Sequence, residues 1–143
     1  MEQKTSKRES IVQALTKTVS VLESSGVHRN LDKPLQIPSR GMIVIRDNES
    51  AKEVEALLSP LSYTYELTVT LEVIVQHAEP VMRNHTLDML LMDIYRVVRT
   101  NRTLDGLAEY VEAKPAEFQD EPIDGAATVR SANVPIVVRF DTV

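Results

Sequence analysis

The sequence predicts an α+β fold: a mixed or antiparallel sheet with two long strands and a short one, and two amphipathic helices packed on one face of it. Three observations support this fold class. Two segments place apolar residues at helical spacing, two long segments alternate apolar with polar residues, and a short apolar run rich in β-branched residues precedes the first of these. Since no internal repeat or linker-like segment interrupts the 143 residues, we expect residues 1–143 to form a single domain.

The first helix is predicted to begin at Ser6, because Ser6 and Glu9 have the spacing of a capping box. Apolar residues then recur on one helical face at Ile11, Val12, Leu15, Val19 and Leu22. Gly26 is expected to end this helix after roughly five turns. Residues 27–40 contain two prolines and no periodicity, which predicts an extended crossing segment.

Two short elements are predicted next. The apolar run at residues 42–45 indicates a short strand that is buried on both faces. Ser50 and Glu53 have the spacing of a second capping box ahead of several apolar residues. We therefore interpret the following residues as a short helix that Pro60 ends.

The most regular pattern in the chain runs from Tyr63 to Gln76, where apolar and polar residues alternate. This period of two predicts one long strand, whose odd-numbered face meets the core and whose even-numbered face meets water or a polar partner. Glu66 and Glu72 both lie on the even-numbered face, ~20 Å apart along the strand. Because the acid and base of a glycosidase lie about 5–10 Å apart, these two carboxylates are interpreted as part of a solvated or interface surface.

The second helix is predicted over residues 81–99, with Pro80 in its first turn. Its apolar surface is wider than contact with one sheet requires, since Met82, Met89 and Met92 widen the core stripe. Either this helix is sandwiched inside the domain, which we favour, or Met89 and Met92 face another subunit.

The last third of the chain is predicted to contain a turn, a strand and the second long strand. Residues 103–107 are interpreted as a turn or a single helical turn, and a strand follows around Tyr110. Residues 126–143 alternate apolar with polar residues, which predicts the second long strand. Pro135 cannot donate a hydrogen bond to a neighbouring strand, so we expect a bulge or an open edge there.

The composition excludes several classes of protein. There is no cysteine, which excludes disulfides, thiolate metal sites and a cysteine nucleophile. The four glycines are too far apart for a phosphate-binding loop, and the three histidines form no ligand pair at helical spacing. We therefore expect no catalytic residues, no metal and no cofactor. The charged N-terminal residues predict no signal peptide, and we expect no association with a membrane.

The charges are unevenly distributed along the chain. The net charge is −5 and the pI is about 5.2, which argues against a protein that grips nucleic acid. Arg96, Arg99 and Arg102 cluster at the end of the second helix, where the helix dipole is the favoured explanation. An acidic tract around Asp120 follows. Patches of opposite sign also permit head-to-tail contacts between copies, which close into a ring when the rotation allows.

Several segments resemble one known family in their order and spacing: residues 58–63, 66–76, 77–80, 102–112 and 122–127, and the closing strand up to residue 143. Together they cover most of residues 41–143. The family is the tail terminator, or tail completion, proteins of long-tailed bacteriophages and prophages. The chain departs from the family pattern in two places: Leu104-Asp105-Gly106-Leu107 stands where the family has a Leu-Gly-Gly-Leu turn, and the loop at 47–56 is unlike family members.

The resemblance implies a virion protein that is assembled in the cytoplasm of the bacterial host. It implies a homo-oligomeric ring, usually of six subunits, on the head-proximal end of the phage tail tube. There the ring stops polymerisation of the tail tube protein and provides the docking face for the head-tail connector protein. DNA would pass through the lumen without specific binding, because carboxylates repel it. The candidate lumen or interface residues are Glu66, Glu72, Met89, Met92 and Asp120.

Two other functions are compatible with the residues. A small cytoplasmic ligand-binding domain would have a defined pocket and dimer symmetry instead of a ring. An orphan enzyme would have a concave pocket with a titratable group of displaced pKa beneath the sheet. The sequence supplies neither a nucleophile nor a base for the second of these.

Overall fold

The computed structural model describes residues 5–22, 26–31, 36–119 and 128–142. Within these residues the chain forms two helices and seven strands. In chain order they are α1 (Lys7–Val19), β1 (Gly26–Arg29), β2 (Met42–Arg46), β3 (Lys52–Leu58), β4 (Leu61–Gln76), α2 (Pro80–Thr100), β5 (Tyr110–Ala113), β6 (Glu117–Gln119) and β7 (Val129–Thr142).

The strands form one mixed sheet around a long central pair. β4 and β7 pair antiparallel without a register break, from Tyr63 opposite Thr142 to Gln76 opposite Val129. The order across the sheet is β1-β2-β4-β7-β5. One side of β4 pairs with β7. The other side of β4 pairs with β3 near its start and with β2 near its end. The free side of β7 pairs in the same way with two short strands, β6 near its start and β5 near its end. β1 pairs with β2 in parallel, and the remaining pairs are antiparallel.

Both helices contribute to one core on one face of this sheet. The predicted apolar stripe of α1 is buried at Ile11, Val12, Leu15 and Val19. In α2 the buried residues are Leu87, Leu90, Leu91, Ile94, Val97 and Val98. They pack in the same cluster as the odd-numbered residues of β4 from Leu67 to Val75, each of which is fully buried. The fold class predicted from the sequence is confirmed.

The first helix begins as predicted and ends earlier. The Ser6 hydroxyl accepts a hydrogen bond from the Glu9 amide at 3.1 Å, as half of the expected capping box. The helix ends at Val19, and Gly26 begins β1 rather than ending the helix. The extended segment predicted at 27–40 thus contains a strand in its first residues. Gly26 belongs to a strand because its backbone pairs with the buried strand β2. The apolar pattern of α1 contains no information about that partner, so it does not predict where the helix ends.

The prediction of a short helix between Ser50 and Pro60 is wrong, because this segment forms the strand β3. β3 forms a hairpin with the start of β4, and six of its residues pair with residues 61–66. The long β4 would otherwise leave these backbone groups unpaired. A sheet partner therefore outweighs a capping-box spacing, which is a weak signal by itself.

Pro135 lies at an open edge, one of the two arrangements expected from the sequence. The register between β4 and β7 is continuous through Pro135, so there is no bulge. Its carbonyl accepts a hydrogen bond from the Lys114 amide at 2.8 Å, which places the proline ring nitrogen on the same side of β7. That side is the gap between β5 and β6, where no strand requires a donor.

Candidate functional site

The sheet face opposite the helices is polar and half-buried. Alternation in β4 places Thr64, Glu66, Thr68 and Glu72 on this face, as predicted, and none of them lies in the core. Residues of β7 that pair opposite them, such as Asn133 and Arg139, share the same face. We call this surface the open sheet face.

The carboxylates of the open sheet face lie next to arginines. Glu72 lies 3.5 Å from the Arg46 guanidinium. Glu66 lies 4.0 Å from Arg139, which also contacts Glu109 at 3.2 Å. The pKa of Arg139 is raised, chiefly by the Tyr110 hydroxyl, so the guanidinium stays charged. Because these groups are partly exposed, the pairs add little stability, but they offset the negative charge of this face.

The cluster with the most strongly displaced pKa lies elsewhere, between α1, β1 and β2. Asp47 is 8% exposed and accepts hydrogen bonds from Arg29 at 2.8 Å and from Asn30 at 2.6 Å. The Arg8 guanidinium lies 3.3 Å from the same carboxylate. Arg29 is the main cause that holds the pKa of Asp47 well below its usual range.

Arg29 extends this cluster to the first helix. Its guanidinium forms a bidentate pair with Glu9, with both distances at 2.7 Å, and lowers the pKa of that carboxyl. The two carboxylates in turn raise the pKa of Arg29. Each charged group is satisfied by its neighbours, so the arrangement acts as a clamp that joins α1 to the edge of the sheet. We call it the Asp47 clamp.

The exposed side of α2 carries the predicted methionines. Met89 is 46% exposed and Met92 is 57% exposed. Described residues therefore do not sandwich this helix, and the favoured interpretation of its wide apolar surface is wrong. The sequence pattern overestimated the core contact because the sheet covers only the side of α2 that carries Leu90, Leu91 and Ile94.

Next to Met92 lies a shallow groove between α2 and the segment that joins β5 to β6. It has a volume of about 510 Å³, and its apolar lining includes Leu91, Met92, Ala116 and Phe118. Tyr95 also lines it; its hydroxyl donates to the Lys114 carbonyl at 2.8 Å, and burial raises its pKa. A second depression, which shares Met92 and Tyr95, extends the groove toward Arg96 and Arg99. We call the combined surface the α2 groove. The sequence did not predict it, since it depends on where the 114–118 segment passes the helix.

The second apolar surface is on the β3–β4 hairpin. Ala56 pairs opposite Tyr63, and Leu58 pairs opposite Leu61, so these four residues share one face. Leu58 is 84% exposed and Leu61 is 51% exposed. We call these four residues the hairpin patch. It was missed from the sequence because residues 50–59 were interpreted as helix.

The remaining predicted residues do not form a further site. Asp120 and most of the acidic tract around it lie outside the described residues. His77 follows β4 directly, and its Nε2 lies 3.2 Å from the Ser39 carbonyl. Across the described ranges, no three histidine or carboxylate side chains are grouped as metal ligands. In the same residues, no helix is long and apolar enough to cross a membrane.

The fold has a counterpart among solved structures. Neither a protein-family model nor a curated protein sequence matches this chain. The chain is similar to one from the virion of a native gene transfer agent particle, with a TM-score of 0.56 and 10% sequence identity, over 92% of this chain and 95% of that chain. A second solved structure is 12% identical over 94% of this chain and 91% of its own, and its TM-score of 0.44 is too low to support an inference. At 10% identity, the first similarity establishes a shared fold.

Proposed function

We propose that this chain is a structural subunit of a phage-like virion, and specifically a tail terminator. In this role it forms a ring, of six subunits as the family resemblance implies, on the head-proximal end of the tail tube. The ring stops polymerisation of the tube protein and presents a docking face to the head-tail connector.

One observation carries the proposal: the chain shares its fold, across 92% of its length, with a chain from a gene transfer agent virion. The order of the segments that resemble tail terminators supports the particular position at the end of the tail. The exposed surfaces are consistent with assembly, since the hairpin patch and the α2 groove both expose apolar residues that a monomer leaves in water.

We assign the open sheet face to the lumen of the proposed ring, with Glu66 and Glu72 along it. The carboxylates beside Arg46 and Arg139 offset the attraction of these guanidinium groups for phosphate. Arg139 also contacts Glu55 at 3.5 Å and Glu109 at 3.2 Å, so four carboxylates surround these two guanidinium groups. DNA would therefore meet a surface that stays net negative, which suits passage better than retention. Asp120 stays a rim candidate on the sequence alone.

The first experiment measures the mass of the purified chain by light scattering over a concentration series, with negative-stain images of any large species. We expect ring-shaped particles with a mass near six subunits. A tight dimer at all concentrations would contradict the ring and favour the ligand-binding alternative, because that class of domain has dimer symmetry.

A second experiment tests the position in the particle. Deleting the gene from a host that releases tailed particles should give tails of uncontrolled length and heads without tails, and expression of the intact chain from a plasmid should restore normal particles. Particles of normal length from the deletion strain would contradict the tail-terminator role, whatever the mass in solution.

A further inference from the structure

The apolar face of the hairpin is a continuation of the core face of the sheet. Tyr63 lies 6.3 Å from Tyr65 between ring centroids, and Tyr65 stacks on Phe140 at 5.6 Å. Phe140 is buried, whereas Tyr63 and Tyr65 are half-buried and the patch beyond them is exposed. Since the hairpin extends past the end of the helical layer, this face presents apolar side chains that nothing among the described residues covers.

The hairpin patch and the α2 groove lie on opposite sides of the central strand pair. The hairpin strand β3 pairs with β4 on the side away from β7. The groove is next to β5 and β6, which pair with β7 on the side away from β4. One copy cannot bring the two surfaces together, because β4 is paired along the whole length between them. Two copies can, and one copy then keeps a free α2 groove while the other keeps a free hairpin patch, so that further copies can add.

The charges beside these two surfaces are complementary. On the hairpin, Glu53 lies on the same face as the patch, whereas Lys52 and Glu55 lie on the other face, where Glu55 contacts Arg139 at 3.5 Å. Residues 93–102 contain three arginines and one aspartate, a net charge of +2. Among the described residues, Arg99 and Arg102 form no ion pair, while Arg96 pairs with Asp93 at 2.8 Å. The groove therefore offers the guanidinium of Arg99 to an acidic partner, and the hairpin offers the carboxylate of Glu53.

We propose that the hairpin patch of one copy docks in the α2 groove of a second copy of this chain. Leu58 and Leu61 would insert beside Met92 and Phe118, where the flexible thioether of Met92 adapts to the inserted side chains. Glu53, which is exposed on the same face of the hairpin, would face Arg99. This inference rests on the proposed function, because it names the contact that joins neighbouring subunits of the ring.

Cross-linking tests the contact directly, since the natural chain contains no cysteine. A Leu58→Cys variant is mixed with a Met92→Cys variant and treated with a short bis-maleimide. We expect a covalent dimer from this mixture. The matched control pairs Leu58→Cys with Val81→Cys, because Val81 is 78% exposed on the same helix but lies ~16 Å along its axis from Met92. The control mixture should stay monomeric on a denaturing gel.

A disruptive substitution gives a second readout that does not depend on cross-linking. Leu58→Asp should weaken self-association at least tenfold, because it places a carboxylate in the apolar groove. Val81→Asp is the control, since it makes the same kind of change at an equally exposed residue outside the groove. Both substitutions are at the surface, so circular dichroism should show the native fold for each.

The outcomes separate this contact from the proposed function. Rings that form normally in the Leu58→Asp variant, without a 58–92 cross-link, would overturn the contact and leave the ring in place. A closed dimer with the 58–92 cross-link would support the contact and contradict the ring. A chain that stays monomeric and gives no cross-link at the highest concentration would overturn the contact.

Discussion

Strand β4 passes through two regions that share one sequence pattern and differ in burial. From Leu67 to Val75 every odd-numbered residue is fully buried, whereas Tyr63 is half-buried and Leu61 is half-exposed. The alternation of the sequence continues through both regions. It therefore indicates which residues share a face, while the position of the helices decides how much of that face becomes core.

The largest expected effect is the difference in the free energy of unfolding between two leucine truncations, one in each region of β4. Leu71→Ala should lower the free energy of unfolding by about 3 kcal/mol, because it leaves a cavity among fully buried side chains. Leu61→Ala should lower it by less than about 0.5 kcal/mol, as for an exposed residue. Urea unfolding at a protein concentration below that of self-association measures both values.

Leu61→Ala should instead weaken self-association, which light scattering measures on the same samples. The comparison between the two regions fails if Leu61→Ala destabilises the monomer as much as Leu71→Ala does. That result would mean that the hairpin is part of the core in solution.

The Asp47 clamp should give the next largest effect. Asp47→Asn removes the charge that faces Arg29 and leaves two arginines with weaker partners. Removing one partner of a buried pair costs 3–5 kcal/mol, and the partial exposure of both arginines reduces this to about 2 kcal/mol. Urea unfolding at neutral pH checks the value.

The clamp also predicts a pH dependence. The pKa of Asp47 is lower in the folded chain than the ordinary value of 3.8 for an aspartate, and the pKa of Glu9 is also lowered. The unfolded chain therefore binds more protons in acid, and the stabilisation is complete above about pH 5 and is lost as the pH falls through 4 and below. Asp47→Asn should flatten this part of the stability profile. A slope that is unchanged in the variant would contradict the assignment.

The sequence predicted the elements whose pattern is local. The stripe of α1, the buried strand β2, the long strands β4 and β7 and the helix α2 all form where their periodicity places them. The buried residues of these elements pack together in one core, so local pattern and tertiary structure agree there. The polar face with Glu66 and Glu72 follows from the same alternation.

The sequence failed where a distant partner decides the structure. β1 and β3 are strands because β2 and β4 offer them unpaired backbone groups, and neither has a clear alternating pattern of its own. The α2 groove depends on Phe118 and Tyr95, which belong to different elements. No spacing rule brings such residues together, since their approach depends on how the 114–118 segment crosses the helix.

Two glycines with positive φ angles extend the comparison between tightly packed and exposed regions to the backbone. Gly41 has a φ of 97°, and a Cβ added there would lie 2.7 Å from a methyl carbon of Leu90 in the core. Gly106 has a φ of 90°, and a Cβ there would meet nothing within 4 Å. Gly41→Ala should lower the free energy of unfolding by about 2 kcal/mol, from backbone strain and overpacking together, and Gly106→Ala by about 1 kcal/mol from strain alone.

Thermal unfolding monitored by circular dichroism compares these two variants. Equal losses would show that Leu90 moves away from the new methyl group without cost. The core at this point would then be less tightly packed than the buried region of β4 implies.

The smallest expected effect is a charge exchange across the proposed contact. Glu53→Arg and Arg99→Glu should each weaken self-association by about 0.5 kcal/mol, which is typical of an exposed ion pair at an interface rim. The double variant, in which the two charges are exchanged, should recover most of that loss, because opposite charges face each other again. Neither residue forms an ion pair among the described residues of a single chain, so the stability of the monomer should not change.

Association constants from sedimentation at low and high salt measure the coupling. If the losses of the single variants simply add in the double variant, Glu53 and Arg99 do not face each other across the contact. The hairpin would then dock, if the cross-link forms, through its apolar patch alone.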